Sequence, residues 1–346
     1  MNRGGLDSSN MLGRIEGLAS QCLDGWEKGL RWAVPSGCAA SNHLLILGMG
    51  GSAIGADLLK DLLRDRVKIP IAVNRSYTIP RWVSRRTFVL ACSYSGNTEE
   101  TLSAARQALQ RGARLAAISS GGKLAQLSRQ AGFPLLRIPA GIPPRAAVGY
   151  ALCAPLGLLV RLRWVEKKDL PVEAACSALD RFIRRNLGAA VGVSSNPAKK
   201  LARQLFGKLP VLYGASPNWE AVTYRWRTQL EENGKVLTFH HLFPEATHNE
   251  ISGWVNPPAL MKKIAAVFLT DQSVHPRTLR RMEFTRRIIQ RQGARTLNVR
   301  VSGESILERT LKMIALGDFV SLYLALLYRV DPTPVERVEA LKKWLR

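Results

Sequence analysis

From residue 43 onward, short apolar runs alternate with longer amphipathic stretches, and this alternation constrains the fold more than any other feature. In the first half the runs are HLLILG (43–48), IPIAV (69–73), TFVLAC (87–92), RLAAIS (114–119) and PLLRIP (134–139). Helical periodicity fills several of the intervals, notably 52–64 and 97–111. A strand that is apolar throughout its length is buried on both faces, which calls for a parallel sheet with helices on either side. The alternation restarts at LPVLYG (209–214) and runs through KVLTFH (235–240), IAAVFLT (264–270) and ARTLNVRV (294–301). Further helices are predicted over 146–162, 170–187, 219–233, 276–292, 305–328 and 334–345, and Leu12, Ile15, Leu18, Leu23 and Trp26 predict one near the N-terminus. At roughly 150 residues per domain, 346 residues make about two. The expected architecture is α/β: two doubly wound parallel-sheet domains with flanking helices, residues 1–191 and 192–346, divided at GVSSNPAKK (192–200). The two halves share a plan but no residue-level repeat.

With 46% hydrophobic and 22% charged residues, the chain is neither disordered nor collagen-like. Five scattered cysteines without a CxxC pair read as reduced thiols filling a core. The first residues carry no apolar run, and the uncharged stretch 146–160 is too short to cross a bilayer. A soluble, cytoplasmic protein is expected. The net charge of +24 is densest over 277–300, where eight arginines accompany the single acid Glu283. No zinc finger, RNA-binding motif or aromatic–basic stripe goes with it, so a solvated helix face is expected rather than a nucleic-acid partner.

Two loops carry chemistry. The first strand runs into Gly48-Met49-Gly50-Gly51-Ser52-Ala53, where glycines admit an anion to the backbone and a helix N-terminus supplies free N–H groups. Gly48, Gly50 and Ala53 also fit a loose dinucleotide pattern, but the second strand ends in Asn74-Arg75 with no acid for a ribose, which ranks a nicotinamide dehydrogenase last. The third strand ends in Ser93-Tyr94-Ser95-Gly96-Asn97-Thr98, again before a helix. Either loop alone is equally a cap and turn. Two at the carboxyl ends of strands in one sheet point to a phosphate site.

This pairing resembles the sugar isomerase (SIS) domain, whose SxSGxT loop grips a sugar phosphate. The segments Pro143-Pro144-Arg145, Glu232-Asn233-Gly234-Lys235 and Pro244-Glu245-Ala246-Thr247-His248-Asn249-Glu250, with DPTPVERVEALK (331–342), resemble those of the bifunctional phosphoglucose/phosphomannose isomerases over residues 40 to 346. The resemblance implies two SIS-type domains and an aldose–ketose isomerase acting on glucose 6-phosphate, mannose 6-phosphate and fructose 6-phosphate through a cis-enediol. It implies phosphate contacts from Gly51, Ser52, Ser93, Ser95 and Thr98, and a homodimer whose shared sites take the histidine from the neighbouring subunit.

The same resemblance assigns the proton carrier to Glu232. Its place near a helix C-terminus disfavours the ionised form, as a base of this kind needs. The plain alternative is an exposed acid paired with Lys235. The family's NENxK segment begins here with Glu231 in place of Asn, so Glu231 remains a rival. His248 is the implied ring-opening group, with Asn249 and Glu250 either orienting it or capping the next turn. Arg145, fixed after two prolines, either steadies the enediolate or satisfies loop carbonyls. Lys342 falls on a helical stripe with Val338 and Leu345, and either snorkels or reaches the sugar hydroxyls, with Thr333 assisting. No HxxxH or HExxH spacing is present, so neither metal nor cofactor is expected.

Two other functions compete with this one. A non-catalytic SIS-domain sugar-phosphate sensor would carry a DNA-binding domain, for which the 42 residues before the first strand leave little room. An amino-sugar phosphate isomerase or synthase would need an ammonia-handling domain.

Overall fold

The computed structural model describes residues 5–345; residues 1–4 of the first expected domain and Arg346 of the second lie outside them. Gly17 splits the predicted N-terminal helix into α1 (Met11–Glu16) and α2 (Leu18–Arg31). The chain then forms two compact units. One is Gly17–Ala178; the other joins residues 5–16 with 179–345.

The first unit holds a five-stranded sheet: β1 (His43–Leu47), β2 (Ile71–Asn74), β3 (Thr87–Cys92), β4 (Arg114–Ser119) and β5 (Leu135–Arg137). Every pairing is parallel and the order is β2-β1-β3-β4-β5. Its helices are α2, α3 (Gly50–Leu63), α4 (Glu99–Gln110), α5 (Gly122–Ala131), α6 (Val148–Arg161) and the start of α7 (Val172–Phe182). All six residues of β3 are buried, as a strand covered on both faces must be. Glycines let α2 and α6 touch backbone to backbone: a Cβ on Gly29 would lie 2.2 Å from the Ala154 carbonyl oxygen. All five cysteines are buried and unpaired.

The second unit repeats the plan with β6 (Leu209–Ala215), β7 (Phe239–Phe243), β8 (Ile264–Thr270) and β9 (Arg295–Arg300), all parallel in the order β7-β6-β8-β9. In both sheets the chain enters at an inner strand, steps to one edge and returns to the other side. That reversal opens a crevice at the carboxyl ends of β1 and β3, and again at β6 and β8. The unit's helices are α1, the end of α7, α8 (Pro197–Leu205), α9 (Glu220–Glu232), α10 (Pro258–Met261), α11 (Pro276–Arg291), α12 (Ile306–Leu327) and α13 (Glu336–Trp344). By length and composition α12 could cross a membrane, but it is the core helix of this unit, 83% buried over its most apolar window.

Around 192–200, Asn196 caps α8 and donates to the Leu187 carbonyl at 2.8 Å, while Lys199 Nζ donates to the Ala189 and Val191 carbonyls at 2.7 Å. Two expectations change. The strand expected over 235–240 begins at Phe239. Lys235 adopts φ +55°, a left-handed turn that no strand accommodates, so the chain loops before it extends. In α13 no residue is buried, so its apolar stripe does not face a core.

Candidate active site

The anion loops of the first unit are built as their residues dictate. Gly50, at φ +50°, turns the chain from β1 into α3, and a Cβ on Gly51 would come within 2.8 Å of the Pro144 carbonyl oxygen. Ser52 Oγ accepts from the Tyr94 N–H at 3.3 Å, joining this loop to the one after β3. There Ser93 is buried, its Oγ 2.9 Å from Thr98 Oγ1 and accepting from the Gly96 N–H at 3.1 Å. Ser95 is exposed, its Oγ accepting from the Asn97 N–H at 3.3 Å. Ser93 thus shapes the loop while Ser52, Ser95 and Thr98 rim it. The N-termini of α3 and α4 follow these loops and offer main-chain N–H groups to an anion, with Glu99 and Glu100 in the first turn of α4 opposing its dipole.

Sequence reasoning missed a third member of this cradle. The Ser119-Ser120-Gly121-Gly122 turn after β4 interlocks with the β3 loop. A Cβ on Gly96, at φ +69°, would sit 1.9 Å from the Gly121 carbonyl oxygen, so only glycine fits. Ser120 Oγ donates to the Tyr94 carbonyl at 2.7 Å, and the Lys123 N–H donates to Asn97 Oδ1 at 3.0 Å. Its signal, serine and glycine directly after an apolar run, is the same one that exposed the other two loops. Tyr94 also holds the approach to Arg145, its hydroxyl donating to the Pro139 carbonyl at 2.8 Å and accepting from the Ile142 N–H at 2.7 Å. Arg145 lies in the turn Pro144–Ala146, buried, with its Cα beside Gly51. The structure therefore gathers Gly51, Ser52, Ser93, Ser95, Thr98 and Arg145 in one unit.

In the second unit Glu232 is the last residue of α9 and lines a cleft of about 590 Å³ with Glu231, Lys235 and residues of 330–338. The two acids differ in their surroundings. Glu231 lies 3.6 Å from the Arg227 guanidinium, and burial pushes its carboxyl up, with Arg227 opposing and the charge of Glu232 adding. Lys235 donates to main-chain carbonyls, those of Glu232, Pro332 and Pro334, and so ties the end of α9 to the far wall of the cleft. Thr333 belongs to that wall segment, its N–H donating to Asp331 Oδ1 at 2.8 Å.

The position of Glu232 is set from behind. Arg225, Gln229 and Asn233, four residues apart, present a buried polar edge to α12. Arg225 grips both Asp318 oxygens at 2.9 and 2.7 Å, Gln229 Nε2 donates to Asp318 at 2.9 Å, and Asn233 Nδ2 donates to Ser321 at 3.0 Å. Burial raises the Asp318 carboxyl, and Arg225 opposes the rise. Trp226 Nε1 donates to the Met313 carbonyl at 2.9 Å, its indole seated over Gly317.

His248 and Lys342 do not line this cleft. His248 is exposed after the turn Glu245–Thr247 that follows β7, and Lys342 is exposed on α13. Asn249 Oδ1 caps the next turn by accepting from the Glu250 N–H at 2.6 Å. Among the described residues, no three His, Cys, Asp or Glu side chains converge as a metal site would require.

Residues 194–345 match the family model described as the bacterial phospho-glucose isomerase C-terminal SIS domain. A glucose-6-phosphate isomerase like protein of Thermus thermophilus superposes with a TM-score of 0.64 at 20% identity, covering 95% of this chain and 94% of that one, a likeness of fold. The bifunctional phosphoglucose/phosphomannose isomerase of Aquifex aeolicus is 34% identical, over 88% of this chain and 90% of that protein. The protein of the same description from Caldicellulosiruptor bescii is 39% identical, over 97% and 98%. Similarity of that extent along nearly the whole of both chains makes this chain a member of the bifunctional phosphoglucose/phosphomannose isomerase family.

Proposed function

We propose that the protein interconverts glucose 6-phosphate and mannose 6-phosphate with fructose 6-phosphate through a cis-enediol, with Glu232 carrying the proton. In the open-chain aldose, the Glu232 carboxylate takes the C2 proton. The C–H electron pair forms the C1=C2 bond as the carbonyl oxygen at C1 gains a proton. Return of the proton from Glu232 to C1, with loss of the O2 proton, leaves the C2 ketone. One carboxylate thus serves as base and then acid. The observation that carries this reading is the difference between the two adjacent acids of the cleft: Glu231 is paired with Arg227, whereas Glu232 is the last residue of α9, where the helix ends.

Ser52, Ser95 and Thr98 hold the phosphate on a loop framed by Gly51 and Ser93. Arg145 stabilises the enediolate. His248 opens the sugar ring, and Thr333 and Lys342 contact the sugar hydroxyls. The enzyme works in the cytoplasm as a homodimer, using no metal or cofactor. The exposed apolar face of α13, with Leu341 at 53% and Trp344 at 81%, supports association with a second copy.

A coupled assay with glucose 6-phosphate and mannose 6-phosphate in EDTA tests the reading, and both should be converted. Glu232→Gln should bind fructose 6-phosphate nearly as well as the parent while kcat falls by about two to four orders of magnitude. Conversion of neither sugar would refute the function. Loss of turnover in Glu231→Gln but not in Glu232→Gln would move the base by one residue.

A further inference from the structure

We infer that Glu250 is a positioning residue that holds the His248 loop against the sheet through Tyr213 and His241. The inference rests on the assignment of ring opening to His248. One Glu250 carboxylate oxygen accepts from the Tyr213 hydroxyl and the other pairs with His241 Nδ1. Tyr213 on β6 and His241 on β7 are register partners across the parallel pair, so both side chains emerge on one face and reach one carboxylate. Tyr213 is fully buried, stacked on Phe268 at 5.0 Å, and its hydroxyl accepts from Trp254 Nε1 at 3.0 Å. Burial, with the nearby charge of Glu250, pushes the Tyr213 hydroxyl up and keeps it a donor.

The loop has a second anchor before the histidine. Arg281 of α11 donates to Thr247 Oγ1 at 2.8 Å, and that hydroxyl donates in turn to the Pro244 carbonyl at 2.6 Å. His248 therefore stands exposed between one tether at 247 and another at 250. A side chain that must meet a sugar ring oxygen gains from such placement, because a displacement of about 1 Å costs on the order of a hundredfold in rate. Glu250 touches no reacting atom in this reading; it acts through the backbone on which the imidazole is carried.

The test is a double-mutant cycle on the full-length enzyme, following kcat, KM and Tm with fructose 6-phosphate. His248→Ala should lower kcat by roughly a hundredfold or more. Glu250→Ala should lower it by about tenfold or more with KM little changed, and the double variant should be no slower than His248→Ala alone, since both changes remove one contribution. Tyr213→Phe deletes only a hydroxyl and should lower kcat in the same direction; it carries the test if Glu250→Ala does not fold. Multiplying losses in the double variant would overturn the inference, as would an unchanged kcat in Glu250→Ala or, where that protein does not fold, in Tyr213→Phe. An impaired His248→Ala beside an unimpaired Glu250→Ala would sink the inference alone. A fully active His248→Ala would sink the histidine's assignment and the inference with it.

Discussion

His240 lies on β7 against the ring of Tyr224, at a centroid distance of 5.5 Å, and burial brings its imidazole down to about 4. The neighbouring Arg227 and His241 act in the same direction. A histidine that stays neutral in the folded chain but takes a proton near its usual value of about 6.5 when unfolded favours the unfolded state in acid. Its contribution is intact above about 6.5 and is lost as the pH falls to about 4, below which it changes no further. His240→Gln should therefore flatten the fall of Tm between pH 6.5 and 4 without lowering Tm at pH 8 as steeply as it relieves the acid end. Equal pH profiles for parent and variant would assign the acid sensitivity elsewhere. At this scale the sequence was legible where chemistry needs particular residues in a row, as in the SYSGNT loop. It was silent where a side chain acts on a main chain far away: nothing near Lys235 announces that its ammonium meets carbonyls at 332 and 334.

Among the elements, α9 was readable almost to the residue, because an amphipathic stretch with a glycine just past its end stops where such helices stop. Its seating on α12 was not, since Arg225, Gln229 and Asp318 look like surface residues until a helix faces them. Removing one member of such a pair leaves an uncompensated buried charge, and Arg225→Met should cost about 3–5 kcal/mol in denaturant unfolding. Gly317 makes a second test. A Cβ there would come within 2.5 Å of the Trp226 indole nitrogen, so Gly317→Ala should destabilise by roughly 1–3 kcal/mol although alanine is the better helix former. A more stable Gly317→Ala protein would mean that α9 and α12 slide apart freely. The misplaced strand at 235–240 has the opposite lesson. Its apolar letters satisfied the pattern, but the left-handed backbone at Lys235 forbade it, and no periodicity reports φ.

At the scale of the molecule, the two parallel sheets are what the alternation of apolar runs leads one to expect, while their common strand itinerary is seen only in the structure. The compact units meet within α7, between Ala178 and Leu179. The excess of positive charge stays largely unneutralised along α11, where Glu283 is engaged by Arg286 and Arg287 and held down at about 2. The homodimer proposed above predicts that mixing inactive Glu232→Gln and His248→Ala chains restores partial turnover in hybrid dimers. Failure of that rescue after verified subunit exchange would assign both residues to one subunit's site.

The lysine strut across the cleft has a consequence for how this enzyme can vary. Its acceptors at 332 and 334 are main-chain oxygens, which every amino acid carries alike. Side chains along that wall can be rewritten, widening the cleft or changing its polarity, while the brace behind them stays the same. Selection can thus tune what the cleft admits without renegotiating how the helix bearing the carboxylate is held.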